Sequence, residues 1–237
     1  MTPDIDRHRA GVYRLLSLRE QTEAIAEEMA AERERFARLA DPASAPRAVS
    51  AFNLFQTPAG LATRLAGLFE PRHLGTDGSP HGCPAARFLE PSAGLGRLYH
   101  ALRAVAPQLP AVLVDSAAAC CCELYRATEG DADAILYAGD FMAKSPDQLG
   151  RFSAIMMNPP FQRGTDVRHV MHARNFLSPG GRLVAVVADG RKQRELLGCH
   201  ATTYTQLPAG SFRSEGTDVA TAVVVFDAPL ETDEVTA

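Results

Sequence analysis

Residues 88–98 read FLEPSAGLGRL, and this stretch decides the fold because it joins an apolar run to a glycine turn and a helix. Glu90 closes the apolar run, while Gly94 and Gly96 bracket the turn and permit a ligand to approach the backbone closely. The third glycine of a dinucleotide fingerprint is missing, and an acidic residue before the turn disfavours a bound phosphate. The turn therefore suits a ligand that carries a cation, although an ordinary strand-to-helix turn would have the same pattern.

Strand and helix patterns alternate on both sides of this turn. We predict strands at 86–90, 111–115, 134–138, 153–157 and 182–188, helices at 96–106, 117–127 and 166–176, and two closing strands at 202–207 and 219–226. Such alternation predicts an α/β fold with a mainly parallel sheet and helices on both faces. Ligands bind these sheets beyond the carboxyl ends of the strands. The segment 71–85, rich in Gly and Pro, is predicted to be an exposed loop.

The N-terminal part of the chain has a different pattern. Residues 3–39 carry apolar side chains at helical intervals among charges, and DPASAP at 41–46 ends that pattern. We predict an accessory helix and linker over 1–48, followed by one α/β domain over 49–237. The helix is expected to pack on the core or on another subunit, which makes a homodimer or a partner subunit a candidate assembly.

Composition excludes several classes of protein. The net charge of −4 and the pI of about 6.0 argue against nucleic-acid binding through overall charge, but they allow a basic local cleft. No apolar run approaches the roughly 18 residues of a membrane span. The N-terminus is polar, so neither membrane insertion nor secretion is expected. The five cysteines include three consecutive ones at 120–122, which no disulfide framework requires, and we expect a cytoplasmic protein.

Acidic residues also close the next two predicted strands. Asp115 ends the second strand, where a carboxylate is well placed to bind both ribose hydroxyls of a nucleoside. Asp140 and Phe141 follow the third strand and could read and stack on an adenine. A single Asp at a strand end is usually a turn or cap residue. Three acidic residues in equivalent positions favour a shared binding role.

The fourth strand ends in an unusual way. Residues 154–161 read AIMMNPPF, so that Asn158 precedes two prolines, which cannot donate to a sheet, and Phe161 follows them. A strand that simply ends in a turn does not explain an Asn before a rigid diproline and an aromatic residue after it.

These motifs together resemble those of class I S-adenosylmethionine-dependent methyltransferases of the amino-group type. The resemblance is strongest to the DNA adenine-N6 methyltransferases of bacteria, phages and plasmids, and it covers about residues 50–226. It rests on the order of FQTP (55–58), LEPSAGLG (89–96), VLVD (112–115), GDF (139–141) and NPPF (158–161). It implies a Rossmann-like methyltransferase fold with a mostly parallel seven-stranded sheet and a terminal antiparallel hairpin. It also implies S-adenosyl-L-methionine as the cofactor and a catalytic role for the domain over 49–237.

The resemblance assigns a role to each matching residue. Cofactor binding is implied for Thr57, Glu90, Ala93, Gly94, Gly96, Asp115, Asp140, Phe141 and Asn158. A catalytic loop is implied for Asn158, Pro159, Pro160 and Phe161, and substrate contacts for Phe161, Arg163 and Phe212. The carbonyls of Asn158 and Pro159 would accept the two N–H groups of the target amine and direct its lone pair at the methyl group. We expect direct displacement, which needs no strong general base and no histidine or cysteine nucleophile, and we expect no metal.

The substrate is less constrained than the chemistry. DNA adenine is the leading prediction, with a relaxed or short target, because only 163–167 separates the catalytic loop from the next helix. An RNA adenine is an alternative substrate. A protein glutamine is another, although related glutamine enzymes usually carry Tyr where this chain has Phe161. A non-catalytic scaffold subunit that binds the cofactor is the remaining alternative.

Overall fold

The computed structural model describes residues 55–76 and 86–230. Seven strands form one sheet: β1 (Phe88–Pro91), β2 (Ala111–Asp115), β3 (Ala134–Ala138), β4 (Phe152–Met157), β5 (Leu177–Ala188), β6 (Thr203–Gln206) and β7 (Thr221–Asp227). The α-helices of this part are α1 (Ala59–Ala66), α2 (Pro71–Leu74), α3 (Arg97–Val105), α4 (Ala118–Ala127), α5 (Pro146–Leu149), α6 (Thr165–Arg174) and α7 (Arg191–Leu196). The predicted helix over 3–39 lies outside the described residues.

The sheet has the strand order β3-β2-β1-β4-β5-β7-β6. Strands β1 to β5 pair in parallel, whereas β7 runs antiparallel to both β5 and β6. This arrangement confirms the predicted Rossmann-like fold with a closing antiparallel hairpin. Since β1 lies between β2 and β4, the strand order reverses at β1, and a crevice opens there at the carboxyl edge of the sheet.

Helices cover both faces of the sheet, which explains why the central strands are apolar throughout. Every residue of β1, β2 and β4 is buried. Neighbouring residues on β1 face opposite sides, so that Phe88 packs in the cluster that contains Leu102, and Leu89 packs in the cluster that contains Phe176. No helix in the described part of the chain is long and apolar enough to cross a membrane.

Strand β5 begins at Leu177, earlier than the predicted start at residue 182. Leu177 pairs with Phe152, and the register then shifts before Arg182 pairs with Ala154. Gly180 lies within this irregularity with a φ of +67°. The sequence Pro-Gly-Gly at 179–181 is typical of a turn, and the sheet accommodates it as a bulge, so the sequence pattern concealed the first part of the strand.

The predicted loop over 71–85 begins with a short helix instead. Pro71 is the first residue of α2, a position where proline costs no hydrogen bond. A reciprocal capping box precedes it, in which the Glu70 backbone N–H donates to His73 Nδ1 at 2.9 Å. These local bonds outweigh the loop-like composition. Residues 77–85 lie outside the described part of the chain.

Candidate active site

A cavity of about 300 Å³ opens at the carboxyl ends of β1 to β4. The predicted site residues that line it are Thr57, Glu90, Ala93, Gly94, Asp115, Asp140, Phe141, Asn158, Pro159, Pro160 and Phe161. Three other predicted residues, Gly96, Arg163 and Phe212, do not line it. The parallel sheet therefore brings together segments that lie far apart in the sequence.

Glu90 supplies a buried acceptor at the end of β1. Glu90 is 1% exposed, and its Oε2 has no hydrogen-bond partner. Burial raises the pKa of this carboxyl well above its ordinary value, and the nearby Asp115 carboxylate raises it further, while a hydrogen bond from the Tyr99 backbone opposes both effects. A cationic ligand beside Glu90 would compensate the buried charge, as the sequence pattern predicted.

The turn after β1 is shaped by unusual backbone conformations and by Asp115. Gly94 has a φ of +58°, and Ser92, which is not glycine, has a φ of +66°. Asp115 Oδ2 accepts from the Gly94 N–H at 2.7 Å, and Oδ1 accepts from the Ala117 N–H at 2.8 Å. Burial raises the pKa of Asp115, although these backbone donors counteract the effect. Asp115 thus fixes the turn and also borders the cavity.

Gly96 contributes to the turn from behind the cavity. It precedes α3 with a φ of +77°, and a Cβ there would lie 3.0 Å from Leu124 Cδ2. Both the conformation and the close approach of α4 favour glycine at this position. Gly96 thus supports the turn from behind the cavity, and its direct contact with the cofactor stays a prediction.

Asp140 and Phe141 form the wall of the cavity that follows β3. Asp140 is exposed, and its Oδ1 accepts from the Met142 N–H at 2.9 Å. The Phe141 ring is 3% exposed and packs against His172 and Phe176, with ring centroids 4.9 and 5.2 Å away. This packing fixes the aromatic wall, and it leaves one carboxylate oxygen of Asp140 without an assigned donor.

The carboxamide of Asn158 has a fixed orientation at the end of β4. Its Nδ2 donates to the Phe55 backbone carbonyl at 2.8 Å. Its Oδ1 is buried without a hydrogen-bond partner, and so is the hydroxyl of Thr57 in the segment that holds it. Buried acceptors of this kind are rare because desolvation is costly when no partner is present. The site therefore offers a directed acceptor to a ligand with an N–H group.

Phe161 borders the cavity, whereas Phe212 lies behind it. The two rings meet edge to face, with centroids 6.3 Å apart and an interplanar angle of 81°. Phe212 is fully buried in the core cluster, so it supports Phe161 instead of facing a target base. Arg163 is exposed in the 3-10 turn Gln162–Gly164, just beyond the catalytic loop, and its contact with nucleic acid stays a prediction.

Ser92, Arg97 and His169 are among the cavity residues that were not predicted. Helix α6 brings His169 into the cavity wall, with its Nδ1 3.4 Å from Ser92 Oγ. Burial lowers the pKa of His169, which keeps its imidazole neutral. His169 lies four residues before Ala173, on the buried face of α6, but no feature of the sequence places this face at the cavity.

A buried polar contact positions the helix that carries His169. Asp166 is fully buried, and its carboxylate accepts from the Gln193 Nε2, at 3.0 and 3.1 Å, and from the Ala188 N–H, at 3.0 Å. These bonds connect α6 to the end of β5 and to α7. Asp166 therefore fixes the first turn of α6, close to the catalytic loop, without touching the cavity.

Metal ligation has no support in the described residues. No group of three His, Cys, Asp or Glu side chains in this part of the chain could hold a metal ion. Cys120 lines the cavity, and burial raises the pKa of its thiol to about 12, so it is a packing residue and not a reactive thiolate.

Solved structures share this fold at low sequence identity. A candidate RNA methyltransferase from Pyrococcus horikoshii superposes with a TM-score of 0.55 at 14% identity, covering 79% of this chain and 92% of that chain. The methyltransferase subunit of a type I restriction-modification system from Streptococcus thermophilus gives a TM-score of 0.58 at 16% identity, covering 78% of this chain and 47% of that one. TrmN from Thermus thermophilus gives a TM-score of 0.50 at 17% identity, and the match covers 72% of this chain and 48% of TrmN. The chain thus spans 47% and 48% of the last two proteins. A comparison with curated protein sequences finds no match.

A family model described as "Methyltransferase small domain" matches residues 83–212, which is more than half of the chain. The matched region contains β1 to β6 and most of the cavity wall. S-adenosylmethionine is the cofactor, and the residues present fit it: Glu90 and Thr57 have unpartnered polar atoms that its methionine part would need, and Asp115 and Phe141 border the cavity in which its adenosine would lie. The chain therefore belongs to the methyltransferase small-domain family and is an S-adenosylmethionine-dependent methyltransferase.

Proposed function

We propose that this methyltransferase acts on the exocyclic N6 of adenine in DNA. The observation that carries the proposal is the Asn158 carboxamide, whose nitrogen is held by the Phe55 carbonyl while its oxygen is buried and unpartnered. No N–H or O–H group in the described part of the chain donates a hydrogen bond to that oxygen. An aromatic amine provides the N–H group that such an acceptor requires.

The chemistry follows from two acceptors that act on one amine. The lone pair of an aromatic amine is delocalised into the ring, so the amine is a weak nucleophile. Asn158 Oδ1 and the Pro159 carbonyl would each accept one N–H group, which favours a tetrahedral nitrogen with its lone pair directed at the methyl group. Pro159 and Pro160 restrict the backbone, so the acceptors need little reorganisation.

The cofactor supplies an electrophilic methyl group on its sulfonium. The amine nitrogen would form a bond to that carbon as the carbon–sulfur bond breaks, and the nitrogen would then lose one proton to water. The neutral His169 in the cavity wall is a second acceptor for that proton, although the transfer needs no strong base. Glu90 would bind the cofactor's ammonium group, which leaves Asn158 for the target.

An aromatic surface for the target base supports a nucleobase substrate. A base within a duplex must leave the helix before its amine can reach the cavity. Phe161 is partly buried at the cavity wall, and the buried Phe212 ring fixes it edge to face. A ring held in this way can stack on an extruded base at little entropic cost.

Cationic side chains near the catalytic loop support a nucleic-acid backbone as partner. Arg163 and Arg168 are exposed on the turn and helix that follow the loop, and Lys192 is exposed on α7. The Nζ of Lys192 lies 2.6 Å from the position that a Cβ on Gly164 would occupy, which places a cation directly beside the turn. Because a single 3-10 turn connects the loop to α6, we propose a short or relaxed target sequence.

The test offers labelled S-adenosylmethionine with duplex DNA, single-stranded DNA, RNA and protein extract in separate reactions. Digestion and mass spectrometry then identify the methylated residue. We expect N6-methyladenine in DNA, and we expect it to be absent with Asn158→Ala. Label in RNA or on glutamine would show that DNA is the wrong substrate, and the proposed chemistry of transfer to nitrogen would still stand. No label in any pool, with cofactor still bound, would favour the scaffold alternative.

A further inference from the structure

Arg97 stands out among the residues of the cavity because of its charge. It is the one Lys or Arg residue among the described residues that line the cavity. The same wall carries three carboxyl groups, from Glu90, Asp115 and Asp140. Arg97 is therefore the group in this wall that can pair with an anionic part of a ligand.

The structure gives Arg97 two partners at the rim of the cavity. It is the first residue of α3, and its Nη1 lies 3.1 Å from Glu215 Oε1 and 3.4 Å from the Thr57 carbonyl. Its side chain is 35% exposed, so the guanidinium retains donors that face solvent and the cavity. The guanidinium can therefore bind a further acceptor on the cavity side.

Two unsatisfied polar atoms lie in the same wall. The Thr57 hydroxyl and Glu90 Oε2 are both buried and without a hydrogen-bond partner. One of them can donate and the other can accept. The methionine end of the cofactor requires this combination, because it carries a carboxylate and an ammonium group on one carbon atom.

We propose that Arg97 binds the α-carboxylate of S-adenosylmethionine, together with the Thr57 hydroxyl, while Glu90 binds the ammonium group. Arg97 is then a cofactor-binding residue that neither the family match nor the sequence motifs assign. The inference rests on the cofactor of the proposed function and not on its substrate. The Glu215 carboxylate pairs with Nη1 of Arg97, and the remaining N–H groups of the guanidinium can bind the cofactor carboxylate.

Glu215 connects Arg97 to the wall that supports the target base. Glu215 ends the 3-10 turn Arg213–Glu215, and its backbone N–H donates to the Phe212 carbonyl at 3.0 Å. Phe212 in turn packs against Phe161. Arg97 thus lies between the proposed carboxylate site and the turn that follows Phe212.

The test measures binding by calorimetry in the absence of any methyl acceptor. The probes are S-adenosylmethionine and its decarboxylated analogue, which lacks only the carboxylate. We expect the wild-type protein to bind the analogue on the order of 10- to 100-fold more weakly. Arg97→Ala should weaken S-adenosylmethionine binding by a similar factor and bind the two probes nearly equally. Glu215→Gln, which removes a negative charge beside the proposed carboxylate site, should tighten S-adenosylmethionine binding about 2- to 5-fold.

Arg213→Ala is the matched control, because Arg213 lies in the same turn but pairs with the exposed Asp218 outside the cavity. It should leave the preference for the carboxylate unchanged. If Arg97→Ala does not fold, Arg97→Gln provides the same comparison. An unchanged preference in the Arg97 variant would overturn the inference. Since no acceptor is present, a wrong substrate assignment leaves this result unaffected, and a negative result here leaves the substrate assignment unaffected.

Discussion

Replacing Asn158 by alanine should separate methyl transfer from cofactor binding. The carboxamide makes one hydrogen bond within the protein, from Nδ2 to the Phe55 carbonyl at 2.8 Å, and its Oδ1 has no partner. The variant therefore loses one directed acceptor for the target amine. The groups assigned to the methionine and adenosine parts of the cofactor, such as Glu90 and Asp115, are unaffected.

The expected changes in kcat and in the free energy of unfolding follow from the loss of the Oδ1 acceptor and of the Nδ2 hydrogen bond. Loss of one preorganised group that stabilises a transition state costs about 10²- to 10³-fold in kcat, or about 2.7–4 kcal/mol. Loss of the bond to Phe55 should lower the free energy of unfolding by only about 0.5–1.5 kcal/mol. Transfer should thus nearly vanish in a protein that still folds and binds cofactor.

The assay is single-turnover transfer of labelled methyl groups to duplex DNA, with cofactor dissociation constants measured in parallel. Asn175→Ala is the control, because Asn175 is an exposed amide at the end of α6 that does not line the cavity. Transfer by Asn158→Ala at the wild-type rate would refute the mechanism. A loss of cofactor affinity as large as the loss of rate would move Asn158 to the cofactor instead.

Three further predictions concern cofactor binding, packing and pH. Asp115→Ala should raise the cofactor dissociation constant, measured by calorimetry, and an unchanged constant would remove Asp115 from the ribose role. Phe212→Ala should lower the free energy of unfolding by about 3–5 kcal/mol, because the ring is fully buried; a denaturant midpoint equal to the wild type would contradict this. Burial and the nearby Arg182 lower the pKa of His73 below 6.5, so the unfolded chain binds a proton more readily than the folded one. The stability that depends on neutral His73 should be complete above pH 6.5 and lost as pH falls, and His73→Gln, which can keep the helix cap, should reduce that pH dependence in denaturation curves.

Much of the fold could be predicted because parallel strands covered on both faces are apolar throughout. Strands β2 and β3 begin and end at the predicted residues, 111–115 and 134–138. The start of β5 was missed because its Pro-Gly-Gly sequence indicates a turn locally, and only pairing with β4 makes it a bulge. Pairing across the sheet is not encoded in a local pattern.

The acidic residues of the site could be predicted because chain direction places the carboxyl ends of parallel strands at one edge. Arg97 and His169 were missed because they lie on helices, whose contribution to the cavity depends on how each helix packs. The position of Phe212 behind Phe161 likewise depends on the return of the chain between β6 and β7. No spacing rule in the sequence relates these residues.

The central claim is transfer to the adenine amine, and nucleoside mass spectrometry tests it most directly. Duplex DNA is incubated with the protein and S-adenosylmethionine that carries an isotopically labelled methyl group, and a matched duplex contains hypoxanthine in place of adenine. We predict labelled N6-methyl-2′-deoxyadenosine from the first duplex and no label from the second, because hypoxanthine has no exocyclic amine. Equal label in both duplexes, or label on cytosine only, would contradict the claim.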